Sequence, residues 1–398
     1  MQQDKTRLWT KEFIILTLCN FLLFLQLHMI ISTLPAYVQG EFHASSFQVS
    51  LFTTLFALSA IAARLYSAKQ LEKGNRNRMI YVGILITLLV TLGYYFAAAM
   101  GVLLVLRMIF GVGFGMSSTA FPTMASDVIP VKRMGEGMGY FGLSTSLAMS
   151  IGPVLGIGIL NSSGFNMLTW ATALVILIIA PLSYTLTSKS PKPKAPVETP
   201  FTEKQKAGFN KALVVPSVLN GLLAFCYGGI VSFIALFGIE NGINNAALFF
   251  LFNALAILVV RPIAGRIYDS KGHAALVIPG SIFVMVGLVL LSNVSTTSGL
   301  FVSAFLFGIG YGALQPSFQT WMIQVVSPEQ RGLANGMFLN TLDFGIALGS
   351  LLLGLIASFS DYNIMYRYSA LFILLLLVIY LIHMRMAKKA KLKASHSA

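Results

Sequence analysis

The stretch Arg64-Leu-Tyr-Ser-Ala-Lys-Gln-Leu-Glu72 returns 197 residues on as Arg261-Pro-Ile-Ala-Gly-Arg-Ile-Tyr-Asp269. In both copies an arginine stands in an apolar run and an acid follows eight residues later. At the same offset Gly111-Val-Gly-Phe-Gly115 answers Gly308-Ile-Gly-Tyr-Gly312, and with a slip of one residue Pro130-Val-Lys-Arg133 answers Pro328-Glu-Gln-Arg331. Matched blocks at one offset mark an internal duplication, so the chain reads as two copies of one architectural unit.

The sequence around these blocks is apolar. Of 398 residues, 56% are hydrophobic and 10% charged, with a mean hydropathy of +0.80. A soluble domain carries about 25% charged residues, so a water-soluble enzyme is excluded. Twelve apolar runs can be drawn, each long enough to cross a bilayer. They lie near 12–38, 47–68, 78–98, 101–126, 136–160, 167–187, 213–238, 246–268, 275–293, 299–326, 332–358 and 364–386. In lipid such runs satisfy their backbone hydrogen bonds as helices. The first run is spotted with Asn20, Gln26 and His28 and lacks a small-residue cleavage site, so it reads as a span and not as a signal peptide. The expected fold is an all-α membrane protein with twelve transmembrane helices in two pseudo-symmetric six-helix bundles.

Lysine and arginine number 27 against 13 acids, a net charge of +14. In a chain this apolar the excess marks loops that face the cytoplasm and not a nucleic-acid partner. Lys5, Arg7 and Lys11 precede the first run; Lys69, Lys73, Arg76 and Arg78 surround the second loop; Lys132 and Arg133 occupy the fourth. Arg266, Lys271 and Arg331 mark the later even loops, and Arg385 to Lys393 the tail, whereas Glu41–Ser46, Asn161–Asn166 and Glu240–Asn245 hold no lysine or arginine. That alternation places both termini in the cytoplasm. Ser188–Asn210 is polar, basic and proline-bearing, as an extended linker is. The expected division is an N-terminal bundle over 1–187, a linker over 188–211 and a C-terminal bundle over 212–398. Parallel six-helix repeats imply a rocking transporter whose substrate site lies between the halves.

These residues resemble the major facilitator superfamily, in particular its twelve-helix drug:proton antiporter branch, over essentially the whole chain. Ala68, Glu72, Gly74, Arg76 and Arg78 look like the superfamily's second-loop signature, and Gly265, Arg266, Asp269 and Gly272 are a closer copy. Arg107-Met-Ile-Phe-Gly111-Val-Gly is similar to its Arg-x-x-x-Gly-x-Gly motif, which the family associates with proton coupling. Gly139, Ala148, Gly152-Pro153 and Gly156 look like its antiporter signature, which marks exchange, chiefly export. The resemblance thus implies a gate built on Arg64, Glu72, Asp127, Arg261 and Asp269, with Gly152, Pro153 and Gly156 as the antiporter helix.

Proton coupling needs an intramembrane group that binds and releases protons. Asp343, about ten residues into the eleventh run, is the first candidate, with Asn340 three positions before it. His28 lies mid-way along the first run, and imidazole titrates in the physiological range. Arg107 completes the coupling set. Asn20, Asn220, Tyr227, Asn253, Gln315, Gln319 and Asn340 are the polar candidates for a substrate pocket. With 30 phenylalanines and 17 methionines, the spans could present adaptable apolar surfaces to varied ligands. Cys19 and Cys226 both sit in apolar runs, and the five histidines show no metal-ligand spacing, so neither metal nor cofactor is expected.

The expected function is secondary active transport, proton-coupled export of small lipophilic or cationic compounds by alternating access. The alternative is a proton symporter or facilitator for a sugar, amino acid or metallophore. The expected partners are a small-molecule substrate, protons and the lipid bilayer, the expected state is a monomer, and the short loops suit a bacterial cytoplasmic membrane.

Overall fold

The computed structural model describes residues 7–44, 46–187, 211–243, 246 and 248–396. The linker expected at 188–211 falls outside them save for its last residue, and so do most side chains of the basic tail. Among the described residues there is no strand. The helices are α1 (Lys11–Ile31), α2 (Leu34–Phe42), α3 (Ser46–Glu72), α4 (Arg76–Tyr94), α5 (Met100–Val128), α6 (Met134–Thr187), α7 (Val214–Glu240), α8 (Leu248–Lys271), α9 (Ala274–Leu291), α10 (Thr297–Gln324), α11 (Arg331–Phe359) and α12 (Tyr362–His396). Single tight turns, Val131–Arg133 and Pro328–Gln330, lead into α6 and α11. They are the two copies of the repeated Pro-x-x-Arg segment.

Helix boundaries follow from local chemistry. Thr10 accepts the Phe13 N–H at 3.2 Å to start α1, and Thr296 accepts the Gly299 N–H at 3.2 Å to start α10, as N-cap side chains do. The first apolar run is two helices where one was expected. Ser32 and Thr33 turn their hydroxyls back onto the carbonyls of His28, Met29 and Ile30, and Pro35, at the start of α2, has no N–H to continue the ladder. His28 consequently lies in the last turn of α1, not mid-way along a span. The expected runs 136–160 and 167–187 are two helices, labelled together here as α6 and separated by a kink at Gly164, whose φ of 78° and ψ of 177° leave the helical region. Glycine, lacking a Cβ, adopts that conformation readily.

Ten helices among the described residues are long and apolar enough to cross a membrane. The break at Gly164 makes two crossings of α6, and α3, with 27 residues and no charge before Arg64, supplies another. Twelve crossings result. Large apolar side chains such as Leu85, Leu89, Val105, Leu258, Leu351 and Leu355 remain exposed, on faces that lipid covers. Several hydroxyls within the spans are satisfied one turn back: Thr87 donates to Gly83 O at 2.6 Å, Thr123 to Thr119 O at 2.7 Å and Ser281 to Val277 O at 2.7 Å.

The described residues form two compact units. One draws on Met1–Pro130, Ser144–Lys211 and Val326–Gly336; the other on Val131–Leu143, Ala212–Val325 and Met337–Ala398. Each unit thus takes in a short stretch from the far part of the chain, the beginning of α6 in the second and the beginning of α11 in the first.

Each unit is organised around one central helix, and the repeated glycine block makes it central. In the first unit a methyl built on Gly113 would come within 2.8 Å of Gly83 O on α4, and methyls on Gly111 and Gly115 within 2.6 and 2.7 Å of Phe56 O and Ala60 O on α3. In the second, a methyl on Gly310 would come within 2.5 Å of Gly280 O on α9, and one on Gly308 within 2.7 Å of Asn253 O on α8. The middle glycine therefore meets one neighbour and the outer glycines the other. Association in lipid relies on such close backbone approach because burial of apolar surface gives no drive there.

Gly310→Val should lower the unfolding midpoint by several degrees, since overpacking costs about 1–3 kcal/mol even where side chains can yield and here a carbonyl blocks the way. Gly101→Ala, with open space around the added methyl, should leave the midpoint unchanged. Thermal unfolding of the two purified variants in detergent checks the pair, and equal midpoints would refute the packing argument.

Candidate functional site

In the first unit Arg107 is carried inward by α5 and is only 1% exposed. Its guanidinium carbon lies 4.7 Å from the centre of the Phe56 ring and 5.1 Å from that of Phe110, with the Tyr94 phenol beside it. Nε and Nη1 have no hydrogen-bond partner among the described residues. Ring faces are attractive to a cation at this distance. The aromatic lining continues through Phe114 to Phe24, 5.2 Å away edge to face, and Phe24 stacks on His28 at 6.5 Å.

His28 is also where α1 meets the antiporter-like helix. A methyl on Gly152 would lie 2.6 Å from His28 Cβ, and one on Gly156 would strike Met29 O. Further along the same seam Asn20 Nδ2 donates to Ser144 Oγ and Thr145 Oγ1, both at 2.9 Å. Asn20, Gly152 and Gly156 therefore hold α1 against α6, with Pro153 half-buried beside them.

In the second unit α8 carries Arg261 inward, 3% exposed. Its Nη2 donates to Gln315 Oε1 on α10, and the phenols of Tyr227 and Tyr311 lie within its electrostatic reach. Those two rings stack 4.7 Å apart, and Phe307 stacks on both. Asn253 is buried with Oδ1 unpartnered among the described residues. Gln319 is buried one turn beyond Gln315. Asn220 is a seam residue: its Nδ2 donates to Phe338 O at 3.0 Å and Thr341 Oγ1 at 2.8 Å on α11. Asn340 and Asp343 are half-buried, one turn apart near the middle of α11.

The remaining predicted acids sit at helix ends. Asp127, at the end of α5, pairs with Arg76 at 2.9 Å and Arg331 at 3.1 Å, and Arg331 also donates to Ser126 O at 2.8 Å. All four residues belong to the first unit. In the second, Asp269 accepts the N–H groups of Gly135 at 2.6 Å and Glu136 at 2.8 Å. A carboxylate there also faces the positive end of the α6 dipole. Glu136 in turn binds Arg133 at 2.7 Å and Arg266 at 3.0 Å, and that double pairing holds its carboxyl in the ionised form. Glu72, the first-copy counterpart of Asp269, is exposed beside Lys69, while Leu71 and Ala68 instead receive Gly332. Arg64 is buried, with Gly336 over its carbonyl. The two repeat copies therefore place their acids differently.

Sequence reasoning missed Glu136, Tyr94 and Tyr311. A signal existed for two of them. Glu136 stands three residues after Arg133, an ion-pair spacing on a helix, and Tyr311 is the second-copy partner of Phe114, the same ring with a hydroxyl added. Among the described residues no group of three histidines, cysteines or acids could hold a metal ion.

The profile of the Major Facilitator Superfamily matches residues 16–342 and 272–397. The chain belongs to this superfamily. It is similar to the staphylopine export protein of Staphylococcus aureus, 21% identical over 348 residues that cover 84% of this chain and 87% of that one. It is also similar to multidrug resistance protein 2 of Bacillus subtilis, 22% identical over 371 residues covering 89% and 90%. Among solved structures the human organic anion transporter MFSD10 matches with a TM-score of 0.77 over 93% of this chain and 98% of that one, at 14% identity, a likeness of fold. This superfamily member is thus a multi-pass membrane transporter and not an enzyme, with the all-helical architecture expected of it.

In this transporter Asp269 is the clasp that holds the start of α6. Asp269→Ala removes two charge-assisted bonds, each worth roughly 1.5–3 kcal/mol. Amide exchange at Gly135 and Glu136, followed by mass spectrometry on the full chain, should rise at least tenfold. Unchanged protection would mean that the carboxylate does not hold this segment.

Proposed function

We propose that this transporter is a proton-coupled exporter of small molecules with a substantial apolar body, working by alternating access in a bacterial cytoplasmic membrane with both termini in the cytoplasm. The observation that carries the reading is the seam between α1 and α6. The Gly152-Pro153-x-x-Gly156 stretch, which resembles the family's exchange signature, is pressed against the last turn of α1 at His28 and Met29. A change in α6 is therefore felt directly by His28 and by the Phe24 and Phe114 rings next to it. Similarity to proteins named for staphylopine export and multidrug resistance supports the outward direction.

In this scheme Asp343, half-buried in α11, takes up and releases the proton, with His28 and Arg107 tuning the first unit. Proton and substrate must bind the two facing states with different affinity, because a ligand shifts an equilibrium only by its differential affinity. The Asp127 and Asp269 clusters are the contacts that form in one state and break in the other. The aromatic recesses around Arg107 and around Tyr227 and Tyr311 receive the apolar part of the substrate.

The test uses proteoliposomes holding a pH-sensitive dye, with 2-naphthoate, 2-naphthamide and tetraphenylphosphonium added in turn. A transported probe should move opposite to protons. Asp343→Asn should cut gradient-driven accumulation by at least tenfold and leave probe exchange without a gradient. Co-directional movement of probe and protons would overturn export, and full accumulation by Asp343→Asn would remove that residue from the coupling.

A further inference from the structure

Arg266, 67% exposed, holds a carboxylate, although a solvated guanidinium gains little from such a partner, and the less exposed Arg133, Arg76 and Arg331 hold carboxylates too. Arg261, buried in the second unit, has no carboxylate among its described contacts. A buried charge without a counter-ion is costly, and in membrane spans such a residue marks a functional path. Arg107 at least has two ring faces against its guanidinium. For Arg261 the described hydrogen-bond partner is a single amide oxygen, with two phenols within electrostatic reach.

The donors left over are those an oxyanion needs. Nη2 is bonded to Gln315, Nε has no partner among the described residues, and Nη1 faces Gly142, where a methyl would lie 2.7 Å from it. A guanidinium offers five N–H donors in a planar fork that matches a carboxylate with two parallel bonds. Tyr227 and Tyr311 add hydroxyl donors, and their stacked rings, extended by Phe307, give an apolar wall beside the charge. Gln315 is half-buried, so it is the member of the cluster that an entering anion displaces. A cation brought to the same place meets like charge in a low-dielectric setting and is repelled.

We propose that Arg261 is the receptor for an acidic group of the transported molecule, so that the substrate is a small organic anion with an aromatic or otherwise apolar body. The assignment rests on the transport reading above and narrows its substrate class. It also moves Arg261 from the gate, where its place in the repeat put it, into the binding site. Tyr227 and Tyr311 become the wall and auxiliary donors, and Gln315 the resting partner that holds the fork open.

The probes are 2-naphthoate, 2-naphthamide and 2-naphthylmethylammonium, which share a ring system and differ in charge. Each is added to the full chain in detergent without any proton gradient, and the thermal unfolding midpoint is read, since a ligand that binds the folded state raises it. Naphthoate should raise the midpoint and the other two should not. Arg261→Gln should abolish the naphthoate shift, and Arg261→Lys, which keeps charge and loses the fork, should weaken apparent affinity about tenfold, the scale of one lost charge-assisted bond. If Arg261→Gln does not fold, Arg261→Lys and Gln315→Leu carry the same comparison, with naphthoate affinity altered in both and naphthamide unaffected. Equal shifts from all three probes, a preference for the ammonium, no shift from naphthoate, or a naphthoate shift that survives Arg261→Gln would each overturn the proposal. Because no gradient is present, these results stand apart from transport direction. Naphthoate moving with protons would sink export and leave the receptor intact, whereas ammonium export against protons without naphthoate binding would do the reverse.

Discussion

Every polar group of the backbone must find its partner inside its own helix once water is gone, and that constraint shapes the whole chain. With the main chain sealed, helices cannot recognise each other through ladders, and apolar side chains gain nothing by leaving lipid for one another. What remains is close contact of bare backbone. Gly111, Gly113 and Gly115 on α5, and Gly308 and Gly310 on α10, bring carbonyls of neighbouring helices to the surface of the central one, and Gly312 brings the Cα of Ile257. From Phe110 to Ser126 all of α5 except Val112 is buried, and this depth follows from that contact. The same logic accounts for α1 on α6 at Gly152 and Gly156, and for α7 on α11, where methyls on Gly228 and Gly349 would strike Ile346 O and Phe225 O.

Against that sealed background each polar side chain is conspicuous, and three kinds of use can be told apart. Asn20 and Asn220 bridge neighbouring helices through their amide nitrogens. Asp127 and Asp269 close helix ends by different chemistry, one through guanidinium groups and the other through main-chain N–H groups at the start of α6. Arg107 and Arg261 are held among rings. Strength and geometry differ accordingly: a guanidinium pair tolerates side-chain motion, whereas two successive amides fix a carboxylate in one orientation.

Much of the fold was legible because its determinants are local. Apolar length gives crossings, and the repeated blocks announce two copies of one architectural unit. The misreading occurs where a hydroxyl or a proline decides: Ser32, Thr33 and Pro35 end α1 early, which leaves hydropathy unaltered, whereas the two crossings expected at 136–160 and 167–187 lie on either side of Gly164. The candidate site was legible in its residues more than in their company. Arg107, Tyr227 and Gln315 stand out as polar groups in apolar runs. That Glu72 turns outward while Asp269 is clasped depends on which residues arrive from elsewhere in the chain, and no spacing in the sequence encodes that.

The glycine contacts also bear on how such a protein can change its diet. Because α10 touches α9 through main-chain atoms at Gly310, its axis is fixed with almost no tolerance, and Tyr311 and Gln315 ride on an immovable rail. On the proposed reading, new specificities arise by exchanging the side chains that project from α10, one position at a time, and not by shifting the helix, while the frame that presents them stays closed to variation.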